Sequence, residues 1–229
     1  MGALVANADL LWQGFAATLM ISVVAGILAF VWGVVLAGFR VSPIGPLRTF
    51  GTAYINVVRN TPLTLVFLFL GGSTSALVGI VVPVSRDTYF GVTINNGIVF
   101  AIVALSLYTA TFVCEVVRSG INSVGVGQAE AARSMGLTFG QTLTQVVLPQ
   151  AFRSVVPPLI NVFVAHIKNT SVAAGFAATE LVAVANRLSN ANPGDVFVIF
   201  MGIGVAYLVI TVPLSIAAEQ LEKKVAVAR

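Results

Sequence analysis

The sequence predicts an all-α integral membrane protein with five transmembrane helices. Three observations predict it. Hydrophobic types make up 58% of the 229 residues and charged types only 9%, against about 45–50% and about 25% in soluble domains. The few charges are unevenly spread and leave five long stretches almost free of them. Each stretch reaches the roughly 20 apolar residues that a bilayer core requires. So few charges cannot cover a water-soluble surface, and the apolar content is far too high for a disordered chain.

The spans are taken in order. Residues 10–39 carry no charge, and 30 helical residues rise about 45 Å, enough to cross with tilt. No Lys or Arg precedes Arg40, so this stretch lacks the basic start of a cleaved leader and is expected to stay as span one. Arg40, Ser42-Pro43, Gly45-Pro46 and Arg48 form a turn. Span two, residues 49–82, contains Arg59 and is closed by Pro83, Arg86 and Asp87. Span three is 95–117, followed by Arg118 and a polar connection over 119–153. Span four, 154–179, contains Lys168. A loop with Arg187, Asn190, Asn192, Pro193, Gly194 and Asp195 leads to span five, 196–218, and a charged tail.

With the N-terminus outside, the inner segments collect Arg40, Arg48, Arg118, Arg133, Arg153, Lys223, Lys224 and Arg229. The outer ones hold Arg86 and Arg187. Eight against two predicts a cytoplasmic C-terminus.

Other classes are excluded on residue content. The net charge of +4 comes from scattered basic residues, which argues for topology signals and against a nucleic-acid partner. The single cysteine, Cys114, permits no internal disulfide. The single histidine, His166, cannot form a metal cluster alone, so no metal is expected. No G-x-x-x-x-G-K-[ST] loop occurs, so the chain is not expected to bind a nucleotide cofactor or act as an enzyme itself.

The connection reads as two short helices across a membrane face. Residues 128–135 are rich in helix formers, with Glu130 expected in the first turn, where the dipole favours an anion. Gly136 suits a left-handed C-terminal cap. Thr138-Phe139-Gly140-Gln141 reads as a capping box, and Pro149 is expected to break the second helix before span four. A 35-residue ordered connection between short loops suggests a docking element.

Two cations sit inside apolar spans. Arg59 lies 11 residues beyond Arg48 and Lys168 lies 15 beyond Arg153, so about 16 Å and about 22 Å of helix place both in the middle third of the membrane. A charge there costs at least about 2.5–3.5 kcal/mol unless it faces protein or water. Each begins a similar run: Arg59-Asn60-Thr61-Pro62 and Lys168-Asn169-Thr170-Ser171. Pro62 is expected to kink span two, an irregularity tolerated where backbone lines a cavity. These cations either brace the bundle or border a polar path, near which His166 lies. Glu115 and Arg118 are expected to form a local ion pair, and Glu180 is expected at the outer end of span four.

Glu130-Ala131-Ala132, Gly136 and Val146-x-Leu148-Pro149 resemble the E-A-A-x-x-x-G, nine residues, I-x-L-P motif of ABC importer permeases, with Val146 in place of Ile. Tyr54, Val58-Arg59-Asn60-Thr61-Pro62-Leu63, Glu115-x-x-Arg118-x-Gly120-Ile121, Gly127-Gln128 and Lys168-Asn169-Thr170-Ser171 resemble the polar amino acid subfamily. Residues 53–65 and 118–122 are most similar to glutamate permease subunits of actinobacterial uptake systems. The resemblance covers about residues 10 to 217.

The resemblance implies a permease subunit in a bacterial cell membrane. A second, paralogous permease would face it, two ATPase subunits would use ATP and Mg below, and a solute-binding protein would deliver an amino acid from outside. It assigns Gln128, Ala129, Glu130, Ala131, Ala132, Arg133, Gly136, Leu148 and Pro149 to ATPase coupling. The cost of the buried charges, read with that architecture, leads us to expect Arg59, Asn60, Thr61, Pro62, His166, Lys168, Asn169, Thr170 and Ser171 along the substrate path, with the cations on substrate carboxylates, and Glu180 at the outer end against the binding protein. The alternative is an ion-coupled secondary transporter or channel, which five spans without a mid-membrane acid fit poorly. A non-transporting scaffold has no use for two costly cations.

Overall fold

The computed structural model describes residues 2–73, 88–89 and 91–226. Pro83, Arg86, Asp87 and the end of span two at residue 82, with Arg229, lie outside the described residues. The helices are α1 (Gly2–Ala6), α2 (Ala8–Val41), α3 (Gly45–Arg59), α4 (Leu63–Phe67), α5 (Asn96–Asn122), α6 (Val126–Ser134), α7 (Phe139–Gln141), α8 (Leu148–Asn169), α9 (Leu181–Ala191) and α10 (Val196–Ala226). A π-helical turn, Leu68–Ser73, follows α4, and another, Thr142–Val147, joins α7 to α8. A 3-10 segment, Thr170–Phe176, continues α8. Thr88–Tyr89 and Val92–Thr93 pair as a small antiparallel hairpin before α5.

Among the described residues, four helical runs are long and apolar enough to cross a bilayer: Ala8–Val41, Asn96–Asn122, Phe139–Phe176 and Pro193–Lys223. A fifth candidate is the pair Gly45–Arg59 and Leu63–Gly71, bent by 105°. The chain terminates α3 before that bend through its own side chains. Asn60 Nδ2 donates to Asn56 O and Thr61 Oγ1 donates to Val57 O, each at 2.8 Å. Pro62, which has no N–H to give, then sits at the N-cap of α4.

The most buried helix is α5, which packs along α2 on one side and α8 on another. Small side chains make the approach close: Ala17, Ala25 and Ala29 of α2 and Ala101, Ala104 and Ala110 of α5 are fully enclosed. A Cβ on Gly33 would lie 2.6 Å from Val113 Cβ, so this crossing requires a glycine. The hydroxyl of Ser106 donates to Ala25 O at 3.3 Å across the same interface. α10 is little enclosed, with Phe197, Met201, Val205, Leu208 and Val209 exposed as a lipid- or protein-facing surface.

Four boundaries differ from the sequence reading. The helix after Asn95 runs through Arg118 to Asn122, because an arginine near a helix end reaches water without ending the helix. Residues 181–191 are not loop but α9, whose Leu181, Val184, Ala185 and Leu188 form one buried stripe. Pro149 does not break the second connecting helix. The π turn before it passes the Leu148 N–H back to Leu143 O, and the helix continues past Pro149, Pro157 and Pro158. α6 starts at Val126, so Glu130 lies mid-helix rather than in the first turn.

Candidate functional site

The seam between α5 and α8 carries the polar groups that the bundle leaves uncovered. Pro158, Asn161, Ala165 and Lys168 are exposed on α8 at helical spacing and form one stripe. Beside it lies a groove of about 380 Å³, bounded by Tyr108 and Phe112 of α5 and by Asn161, His166 and Asn169 of α8. Among the described residues no ion pair engages the Lys168 ammonium. Ser171 Oγ donates to Lys168 O, and the buried Thr170 hydroxyl donates to Ile167 O, both at 2.7 Å. Lys168 is exposed and Asn169 half-buried, while Thr170 locks the end of α8.

His166 is buried and both ring nitrogens are engaged. Nε2 stands 3.1 Å from Ser22 O and Nδ1 2.8 Å from Thr109 Oγ1. A carbonyl only accepts, so Nε2 carries the proton, and a neutral ring takes the Thr109 hydroxyl at Nδ1. His166 pins α8 to α2 and α5, and one edge of it forms the inner wall of the groove.

Arg59 lies elsewhere. Its Nη1 is 3.4 Å from Glu115 Oε1, and the same oxygen takes Arg40 Nη1 at 2.5 Å. Arg40 is the penultimate residue of α2, and Glu115 precedes the end of α5 by seven residues, about 10 Å of helix. Arg59 thus stands level with Arg40, which the residue count along the sequence did not anticipate. That count assumed a straight helix from Arg48, whereas α3 packs on α2 and α5 and stops at the bend. The expected Glu115–Arg118 pair is corrected, since the carboxylate is taken by two arginines from other helices. Arg59–Pro62 and Lys168–Ser171 do not meet. Thr109 pairs with His166, so the level of Lys168 is about 12 Å along the axis from that of Glu115. Only the next turn reaches across, where Phe67 stacks on Phe176 with centroids 5.1 Å apart.

The connection folds as its residues dictate. Gly136 has φ +92°. Its N–H donates to Arg133 O at 3.0 Å and that of Leu137 to Ala132 O at 3.2 Å, a Schellman end. The Thr138–Gln141 capping box is complete. Gln150 donates to Gln128 and ties α6 to the first turn of α8. Ala132 is buried against the second limb, whereas Glu130, Ala131, Arg133 and Ser134 face out. Val126, Met135 and Phe139 are 72%, 80% and 71% exposed beside them. Leu148 and Pro149 are exposed at the start of α8.

Glu180 is not available to an outside partner. It is fully buried and caps α9, accepting from Val182 N at 2.9 Å and Ala183 N at 2.8 Å. Tyr207 of α10 donates its hydroxyl to the same carboxylate at 2.9 Å. Sequence reasoning missed this junction and the Arg40–Glu115 pair. The signal within reach was scarcity: with eight acids in the chain, an acid beside an apolar segment has to find donors.

Comparison with known proteins places this architecture. The family described as "Binding-protein-dependent transport system inner membrane component" matches residues 29–227. The glutamate transport system permease protein GluC of Corynebacterium glutamicum is 39% identical over 95% of this chain and 94% of its own. The probable glutamine ABC transporter permease protein GlnM of Bacillus subtilis is 38% identical over the same shares. The crystal structure of an amino acid ABC transporter with histidines superposes with a TM-score of 0.84 at 25% identity, over 96% of each chain. A family match over most of the length, with relatives this similar end to end, shows that the chain belongs to the binding-protein-dependent transport system inner membrane components.

Proposed function

We propose that this chain is a permease subunit of an ATP-driven importer of polar amino acids, with glutamate the first candidate substrate. The observation that carries the reading is the polar seam. Asn161 and Lys168 stand exposed, with Asn169 half-buried beside them, on a helix that is otherwise fit to cross a bilayer, where such a stripe must face protein or water. A second permease subunit, facing this stripe, would close it into a path. Lys168 then binds a substrate carboxylate, Asn161 and Asn169 offer amide groups, and His166 holds the wall. The names of the relatives support the substrate class: they are described as glutamate and glutamine permeases.

The α6 unit supports coupling to a separate ATPase. A Schellman turn and a capping box hold it rigid, and an exposed edge of Val126, Ala131, Met135 and Phe139 remains for a partner. In this reading the bent α3–α4 pair is the second of five spans, α6 lies on the cytoplasmic side, and access alternates as ATP is hydrolysed by two ATPase subunits. A solute-binding protein delivers substrate to the outer face. The membrane is the bacterial plasma membrane. Uptake of labelled glutamate into proteoliposomes holding the assembled subunits tests this. It should require ATP and the binding protein, and ATP-independent flux would overturn it.

A further inference from the structure

A second groove of about 330 Å³ lies on the same seam, bounded by Glu115, Ser119, Gly120 and Ser123 of α5 and by Ser154 and Pro158 of α8. Pro158 borders the first groove as well, so the two run end to end. Asn169 and Ser154 are 15 residues apart, which gives the trench about 22 Å of length. Ser123 and Ser154 hydroxyls meet at 3.0 Å across its far end.

Glu115, on the wall of this second groove, is paired unequally with two arginines behind it. Glu115 is held on Oε1 by Arg40, whose side chain is 11% exposed, at 2.5 Å. Arg59, 41% exposed, stands off at 3.4 Å. The first pair is tight and enclosed. The second is loose, and among the described residues its guanidinium has five N–H donors for one long contact. Arg40 by itself holds Glu115 in place, which leaves Arg59 to exchange partners. A carboxylate and a cation a few ångströms apart, beside a groove edged with serine hydroxyls, complement a zwitterion: an ammonium meets the carboxylate, and a carboxylate meets the guanidinium in its fork geometry.

We propose that Glu115 and Arg59 form an inner subsite of the trench that takes the α-amino-acid head group. The ammonium lies against Glu115, the carboxylate against Arg59, and the side chain among the hydroxyls of Ser119, Ser123 and Ser154. The subsite is separate from the groove beside Lys168 and indifferent to whether the side chain ends in an acid or an amide. It rests on the importer reading, in which the trench is the path.

Binding of labelled L-glutamate to the purified full complex, without binding protein or nucleotide, tests it. With the upper site removed by Lys168→Met, glutamate should still bind. Glu115→Gln on that background should weaken the residual binding tenfold or more. So should Arg59→Gln, which leaves the Arg40–Glu115 pair intact and guards against a misfolded first variant. L-Glutamine should compete as well as L-glutamate, and glutarate, which lacks the ammonium, at least tenfold worse. No binding left in Lys168→Met, residual binding untouched by both variants, or equal competition by glutarate would each overturn the subsite. ATP-driven uptake by the wild-type complex is measured separately, so loss of the subsite leaves the importer reading standing, and loss of uptake alone removes that reading.

Discussion

Tyr207 of α10 donates its hydroxyl to the buried carboxylate of Glu180 at 2.9 Å, 27 residues back along the chain. The same carboxylate caps α9, and the Leu181 N–H beside it reaches Thr18 Oγ1 of α2 at 3.2 Å. Three helices therefore meet at one acid. Removing the hydroxyl by Tyr207→Phe leaves that buried acceptor one donor short, a cost of about 1–3 kcal/mol. Glu180→Ala should cost about 1–2 kcal/mol through the lost cap. Thermal unfolding in detergent should show both variants destabilised. Unchanged midpoints would mean that the junction holds nothing together.

Coupling is tested on the exposed side of α6. Ala132 is enclosed, so enlarging it damages the unit itself. Ala131→Trp instead places bulk on the outer face. It should leave assembly into the membrane intact while ATP hydrolysis no longer drives uptake. Normal transport by this variant would remove α6 from the docking surface.

Gly136 is left-handed at φ +92°, a region that β-branched residues rarely occupy. Gly136→Val should strain the Schellman turn and loosen the link between α6 and α7. Proteolysis of the connection in solubilised protein should accelerate, whereas Gly140→Ala, a site with open space around its Cβ position, should leave it unchanged.

Orientation follows from the basic residues. A C-terminal alkaline phosphatase fusion should be inactive and a fluorescent-protein fusion bright. The reverse pattern would contradict the bent pair as a full span.

Lys168→Met keeps length and removes charge. One charge-assisted hydrogen bond to a carboxylate is worth about 1.5–3 kcal/mol, so the substrate concentration for half-maximal uptake should rise about 13- to 160-fold. Subunit pull-downs should be unaffected, because no ion pair within the described residues depends on this ammonium. An unchanged uptake curve would return Lys168 to a bracing role in the interface.

What the sequence determined by itself was local or one-dimensional. Charge-free length located α2, α5 and α10, because a bilayer sorts residues by hydropathy alone. Gly136 and the Thr138–Gln141 pair located the turn in the connection, because caps act over three or four residues. Tertiary structure decided which charges meet. Arg40 and Glu115 are 75 residues apart, and nothing near Glu115 in the chain distinguishes Arg118 at three residues from Arg40 on another helix. It also decided which residues share a level along the bundle. Counting 1.5 Å per residue from Arg48 holds only for a straight helix, and the 105° bend at Asn60-Thr61-Pro62 leaves Arg59 at the level of Arg40. The kink was legible from Pro62, but its angle was not, since packing of α3 on α2 and α5 sets it. Arg153 and Lys168 share the single helix α8, so for that pair distance along the chain remained distance along one helix axis.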